Sequence, residues 1–132
     1  MIEPHTEART TRPLRAVACL SFAYDLLLAL PLVIAPTQVA ASFGLPGPTP
    51  VVNAQINGVF AFALAVGYLW AARAPAARRG YFWVAGVLAK GLGAVVFALD
   101  HLLRHSPTTW LAFAATDGAL ALVTLVVLLR TR

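Results

Sequence analysis

The chain has few charged residues and almost no cysteine. Only 11% of its 132 residues are charged and 60% are hydrophobic, whereas a soluble domain carries roughly 25% charged residues. Such a chain has too little polar surface to face water on all sides. The single cysteine, Cys19, excludes a disulfide within the chain. The sequence also lacks a Cys-x-x-Cys motif, a glycine-rich phosphate loop and a His-Glu-x-x-His motif, which argues against redox, nucleotide and metalloprotease chemistry.

Four apolar runs are each long enough to cross a bilayer, which takes about 20 mostly apolar residues. They cover approximately residues 14–35, 51–72, 80–100 and 108–129. The sequence therefore predicts an all-α fold: an integral membrane four-helix bundle with antiparallel, up-down topology, forming one domain over residues 14–132. We expect residues 1–13 to form a disordered or interfacial cytoplasmic tail. Residues 37–43 are predicted to form a short interfacial helix that ends at Gly44.

The arginines lie in short clusters between the apolar runs. Eight of them fall on one predicted side of the membrane and only Arg104 falls on the other. This strong positive-inside bias predicts a multi-pass protein with both termini in the cytoplasm. Since the arginines do not line one helix face, we expect membrane lipids and no nucleic acid as partners.

Three ionisable residues lie near the centres of these runs: Asp25, Lys90 and Asp117. At about 1.5 Å of rise per residue, all three should be close to the membrane midplane. A charge at that depth costs on the order of 3 kcal/mol, and such residues usually face the interior of a bundle and serve a function. The three residues are therefore the predicted binding or proton-carrying site.

Helical spacing predicts that the polar residues of all four spans face one axis, because exposure to lipid is unfavourable. Tyr24 flanks Asp25, and Asn57 is the amide that we expect to reach the interior. The predicted inward stripes are Ser21, Asp25, Leu28 and Leu32; Asn53, Asn57, Ala61, Leu64 and Tyr68; Gly86, Lys90, Gly93 and Phe97; and Trp110, Ala114, Asp117, Ala121 and Thr124.

Two aspartates and one lysine leave one negative charge without a partner. We expect Lys90 to pair with Asp117, because the third and fourth spans are joined by a short loop and should pack together. Asp25 is then the proton-carrying candidate, held neutral or solvated by a water-filled cleft, and Pro31 could open a cavity beside it by kinking the helix. On this hypothesis Asp25→Asn preserves folding and abolishes proton-linked activity.

Other polar and aromatic residues favour simpler interpretations. Asp100, His101 and His105 form too loose a set for a metal site, which needs three or four ligands in suitable geometry. We therefore predict no metal and no cofactor. Aromatic residues near the span ends are predicted to anchor the helices at the membrane interface; they are Tyr68, Trp70, Tyr81, Trp83 and Trp110.

Three short motifs resemble a known group of proteins. Gly67-Tyr68-Leu69-Trp70-Ala71-Ala72-Arg73-Ala74-Pro75, Ala89-Lys90-Gly91-Leu92-Gly93 and Thr116-Asp117-Gly118 are similar to the small bacterial four-helix membrane proteins of the DoxX-like and BphX-like kind. The resemblance covers approximately residues 51–130. It implies a four-helix bundle in the bacterial cytoplasmic (inner) membrane, with Lys90 and Asp117 as family features. It supplies no reaction, and Asp25 has no counterpart in it.

These observations leave three functions open. The first is a non-enzymatic accessory or oligomeric membrane subunit, a homo-oligomer or part of a larger complex, that binds a partner or a small amphipathic ligand. The second is a proton-coupled small-molecule transporter that works as a homodimer. The third is an intramembrane enzyme acting on a lipid or isoprenoid-like substrate, with Asp25 or Asp117 as the catalytic general acid.

Overall fold

The computed structural model describes residues 4–131, and the side chains of residues 11–131. The described chain is helical and contains no strand. Its helices are α1 (Pro4–Ile34), α2 (Pro36–Ser42), α3 (Val51–Arg73), α4 (Arg79–Arg104) and α5 (Trp110–Arg130). By length and composition, α3, α4, α5 and the Thr11–Ile34 part of α1 are able to cross a membrane. The prediction of an all-α fold with four helices long and apolar enough to span a membrane is therefore confirmed.

The first helix is longer than its predicted span. It begins at Pro4, so most of the segment for which we predicted a disordered or interfacial tail is a continuation of α1. Residues 1–3 of that segment lie outside the described residues. The predicted short helix after the first span is present as α2. It ends in a Schellman motif, in which the amides of Gly44 and Leu45 donate to the carbonyls of Ala41 and Ala40, and Gly44 takes the left-handed conformation with φ +69°.

The four long helices form two antiparallel hairpins, α1 with α3 and α4 with α5. In the first hairpin, the Gln55 amide donates to the Val33 carbonyl at 3.1 Å near one end, and the Arg15 guanidinium donates to the Ala72 carbonyl at 3.1 Å near the other. Since sequence numbers rise along α1 as they fall along α3, the two helices run in opposite directions.

Arginines at one end of the bundle hold the carboxyl ends of two helices. Arg79 donates to the carbonyls of Leu128 at 2.6 Å and Thr131 at 2.9 Å, at the end of α5. Arg78 donates to the Trp70 carbonyl in the last turn of α3, and Arg15 donates to Ala72 in the same turn. The final carbonyls of a helix have no partners within the helix, so these guanidinium groups satisfy acceptors that would otherwise be unpaired. We call this the arginine end.

The two hairpins pack together most closely at the arginine end. There a cluster of buried side chains joins α1, α3, α4 and α5 around Tyr68, Phe82 and Leu128, each of which is fully buried. At the opposite end, α2 contacts α5: the rings of Phe43 and Phe113 lie 5.0 Å apart, and the Thr109 hydroxyl donates to the Phe43 carbonyl. Apart from these regions, many large apolar side chains, mostly Leu and Val, are exposed on the outer surface, as expected for contact with lipid.

Helix α4 contains a π-helical segment, Phe82–Ala89, that ends immediately before Lys90. A π-helix has i→i+5 hydrogen bonds and is wider than an α-helix, and such segments are frequent at functional sites. Gly86 lies in this segment against α5, where a Cβ atom would be 2.6 Å from Cγ2 of Thr124. The segment therefore sets both the rotation of Lys90 and the closeness of α4 to α5.

We expect Gly86→Ala to lower the free energy of unfolding by about 1–3 kcal/mol, because the added methyl group overpacks the contact with Thr124. Gly80 is a matched control, since it lies on the same helix and a Cβ atom there meets nothing within 4 Å. Thermal unfolding in detergent, followed by circular dichroism, compares the two variants. Equal stability of Gly86→Ala and Gly80→Ala would contradict the close approach of α4 to α5.

Candidate binding site at the centre of the bundle

Lys90 lies between the two midplane aspartates. Its Nζ atom is 2.5 Å from Oδ1 of Asp25 and 3.6 Å from Oδ1 of Asp117. Lys90 and Asp25 are almost fully buried, with 5% and 4% of their surface exposed. The Asp117 side chain is 17% exposed. The sequence therefore predicted correctly that the three residues converge, and they form one triad, Asp25–Lys90–Asp117.

Three helices bring the triad together. Asp25 is on the buried face of α1, one turn after Ser21 and one turn before Ala29. Lys90 is the first residue after the π-helical segment of α4, and Asp117 faces it from α5. Gly93 allows that last approach, since a Cβ atom at Gly93 would lie 3.3 Å from Oδ2 of Asp117. The predicted inward stripes of α4 and α5 are confirmed, because their residues are buried or half-buried.

The predicted pairing within the triad is wrong in one respect. Lys90 does contact Asp117, as expected from the packing of neighbouring helices. However, its hydrogen-bonded partner is Asp25, the residue for which we predicted no partner. Asp25 and Lys90 join the two hairpins across the centre of the bundle, whereas Asp117 lies within the same hairpin as Lys90. Of the two carboxylates, Asp117 therefore makes the weaker interaction with the Lys90 ammonium.

Tyr24 covers the lysine from the α1 side. The Lys90 ammonium lies 4.6 Å from the centre of the Tyr24 ring, a distance at which the ring's π-electrons attract a cation. The Tyr24 hydroxyl is 2.8 Å from the Thr116 hydroxyl on α5, and Thr116 Oγ1 is also 2.8 Å from the Ala112 carbonyl. Tyr24 therefore joins α1 to α5 and closes that side of the triad, as its position next to Asp25 suggested.

Asn57 does not reach the bundle interior, and that prediction is wrong. The residue is exposed. The face of α3 that packs against α1 is set by Gly58 instead, where a Cβ atom would lie 2.8 Å from Cγ2 of Val33. The amide that bonds across this interface is Gln55, to the Val33 carbonyl.

Two hydroxyl groups near the triad were not identified as site residues from the sequence. Tyr68, predicted to be an interfacial anchor, is fully buried, and its ring centre lies 5.9 Å from the Lys90 ammonium. Ser21, one turn before Asp25, is also fully buried. The predicted inward stripes could have identified both residues, since Tyr68 shares a predicted inward face with Leu64 and Ser21 shares one with Asp25.

Four buried polar atoms around Lys90 have no hydrogen-bond partner in the part of the chain that the structure describes. They are Oγ of Ser21, Oδ2 of Asp25, the hydroxyl oxygen of Tyr68 and Oδ1 of Asp117. Buried polar groups almost always have partners, whether protein atoms or water. This concentration of atoms around one lysine leaves hydrogen-bonding capacity unused at the centre of the bundle.

His101 and His105, which we considered as part of a metal site, lie apart from the triad. The His101 ring is 2.7 Å from the Ser106 carbonyl through Nδ1, and Asp100 pairs with Arg104 at 3.1 Å. Among the described residues, no three His, Cys, Asp or Glu side chains are grouped so that they could hold a metal ion.

Comparisons with protein-family models, with curated proteins and with solved structures found no match for this chain. The resemblance to DoxX-like proteins thus stays a prediction, and the chemistry of the site rests on its geometry. With all three groups ionised, the triad carries two negative charges and one positive charge. In that state it is a largely buried site with a surplus of one negative charge and with acceptor atoms that have no hydrogen-bond partner among the described residues.

Proposed function

We propose that the protein is a small multi-pass protein of the bacterial cytoplasmic membrane, with both termini in the cytoplasm, that binds one exchangeable positive charge at Asp117. That charge is a proton or the cationic head of a small amphipathic ligand. The observation that supports this proposal is the triad itself, in which one lysine faces two carboxylates inside an apolar bundle. An uncompensated charge in such surroundings is costly, so the site favours uptake of one positive charge.

Asp117 is the better candidate for exchange than Asp25. Asp25 is held by a 2.5 Å hydrogen bond from Lys90 and is almost fully buried. Asp117 is more exposed, lies 1.1 Å farther from the lysine (3.6 Å against 2.5 Å), and its Oδ1 accepts no hydrogen bond from the described residues. A carboxylate that is both less constrained and more accessible can gain and lose a charge without breaking the contact between the hairpins.

Infrared spectroscopy of the protein in lipid nanodiscs tests this proposal. We expect the carbonyl band of a protonated, buried carboxylic acid, and we expect Asp117→Asn to remove it, because the proposal assigns the exchangeable proton to Asp117. Asp100→Asn is the matched control, since Asp100 pairs with exposed Arg104 outside the triad. A band that is absent from the parent protein, or that persists in Asp117→Asn, would contradict the assignment.

The same band distinguishes the two sources of positive charge. Tetrabutylammonium, a soluble amphipathic cation, is added at constant pH. If the band decreases in the parent protein, the organic cation competes with the proton for Asp117. If the band is unchanged, the exchangeable charge is a proton alone.

A further inference from the structure

Helix α3 separates from the second half of α4. Along its length α3 packs against α1, and near the arginine end it also contacts the Arg79–Ala89 part of α4. The Tyr81 hydroxyl donates to the Leu64 carbonyl at 2.7 Å in that region. Beyond it, α3 makes at most isolated contacts with Lys90–Arg104, and α1 meets this part of α4 at Lys90, through Asp25 and Tyr24. The two segments, α3 and Lys90–Arg104, are therefore separated by a gap on the side away from the arginine end.

One face of α3 lines this gap. Asn57, Ala61, Leu64 and Tyr68 are spaced by four, three and four residues, so they lie on one side of the helix. Tyr68 shows where that side points, because its ring packs against Tyr81 and Phe82 of α4 at 5.2 and 6.5 Å between centres. Helical spacing therefore places Asn57 on the side of α3 that faces α4, and the residue is exposed. We call this gap the asparagine crevice.

The amide of Asn57 lies at a depth where lipid would be an unfavourable neighbour. Asn57 is six residues after Val51, the first residue of α3, which is about 9 Å along the helix. With α3 centred in a hydrocarbon layer about 30 Å thick, the amide lies inside that layer. Transfer of a carboxamide without a hydrogen-bond partner into hydrocarbon is unfavourable. The depth of the Asn57 amide therefore indicates that polar molecules occupy the crevice.

The inner end of the crevice is the triad. The stripe that begins at Asn57 ends at Tyr68, which is 5.9 Å from the Lys90 ammonium. The buried hydroxyls of Tyr68 and Ser21 and the free oxygen of Asp25, all without partners among the described residues, lie at this end. Two observations therefore favour polar occupants along one line: the exposed amide at the mouth and the buried polar atoms without partners at the base.

The opposite side of the bundle is closed. There α1 contacts α5 through Tyr24 and Thr116, and the ring of Phe43 packs against Phe113. We propose that the asparagine crevice is filled with water and that it is the route by which the exchangeable charge reaches the triad from the end opposite the arginines. The presence of water in the crevice is independent of the proposed function; its role as a route rests on that function.

Cysteine labelling in lipid nanodiscs tests the crevice. Native Cys19 is first replaced (Cys19→Ala), and Asn57→Cys and Val59→Cys are then made separately. Val59 is a matched control: it is exposed, lies two residues from Asn57, and lines a groove formed only by apolar residues. We expect a water-soluble, membrane-impermeant maleimide to react with Asn57→Cys at least about tenfold faster, because the reacting thiolate forms in water and not in lipid.

Gel filtration verifies that each variant is folded, and Ala61→Cys, one turn deeper on the same face, replaces Asn57→Cys if that variant is not. Equal rates at the crevice position and at Val59, whether slow or fast, would overturn the proposal. The infrared experiment separates this result from the proposed function. If labelling of Asn57→Cys is slow but the Asp117 band is present, the proposed route is contradicted and the proposed function is not. If labelling is fast but the band is absent, the crevice contains water and the proposed exchangeable proton is contradicted.

Discussion

Lys90→Met is expected to lower the free energy of unfolding by about 3–5 kcal/mol, since removing one partner of a buried ion pair leaves an uncompensated charge. Lys90 is the chain's only lysine, and it is the common partner of Asp25 and Asp117. Without it, two carboxylates face each other in an apolar bundle, and the hydrogen bond between the two hairpins is lost. Reversible unfolding in mixed micelles measures the change.

A second replacement distinguishes electrostatics from packing. The triple variant Lys90→Met, Asp25→Asn, Asp117→Asn removes every charge of the triad, and we expect it to recover most of the stability, because neutral replacement of a whole buried ion group is often tolerated. The control is Arg104→Met, which breaks the exposed pair with Asp100 and should cost less than about 1 kcal/mol. A loss in Lys90→Met as small as that in Arg104→Met would show that the triad does not stabilise the bundle.

The two aspartates of the triad are expected to respond differently to the same substitution. Asp25→Asn should cost about 1.5–3 kcal/mol, the usual range for a hydrogen bond to a charged group, because it weakens the contact that joins the hairpins. Asp117→Asn should change stability by less than about 1 kcal/mol, since a neutral amide replaces a carboxyl whose charge the bound proton already neutralises, and the Asp25–Lys90 pair stays intact.

This expectation reverses the one that the sequence suggested, in which Asp25→Asn preserves folding. Both variants are isosteric with the parent residue, so a difference between them reports on charge and hydrogen bonding and not on volume. Their unfolding free energies are compared under the same conditions as those of Lys90→Met. If Asp117→Asn is the more destabilised of the two, Asp117 is the structural partner and the assignment of roles is incorrect.

Much of the fold follows from local patterns in the sequence. The four apolar runs gave the four long helices because length and hydrophobicity are properties of each segment alone. Gly44 marked the end of α2 because the left-handed residue after a helix favours glycine. The stripes that include Lys90 and Asp117 were also predictable, since helical spacing fixes which residues share a face.

The pairing of Lys90 could not be predicted in the same way. We chose Asp117 because its helix is the sequence neighbour, but the direction of the lysine depends on the π-helical segment Phe82–Ala89. No local signal in the sequence marked that segment. A change from i→i+4 to i→i+5 hydrogen bonding alters the rotation of the residues that follow, and Lys90 is the first residue after this segment.

The exposure of Asn57 has a similar origin. Its face was predicted correctly, because Tyr68 on the same stripe does point toward α4. The error came from treating the bundle as equally tight along its length. Close packing at the arginine end around Tyr68 and Phe82, combined with the weak contact farther along, is a property of two hairpins in contact and is not encoded in either span alone.

The other assignments depend on the arrangement of the triad, in which Lys90 is held by Asp25 and stands beside Asp117. Solid-state NMR in lipid bilayers tests it directly, because lysine labelled with ¹⁵N at Nζ gives one signal in this chain and only three aspartates carry a ¹³Cγ label. We predict that the lysine signal correlates with two carboxyl carbons, one strongly and one weakly. Asp25→Asn should remove the strong correlation and Asp117→Asn the weak one. Loss of the strong correlation in Asp117→Asn, or no correlation in the parent protein, would contradict this account.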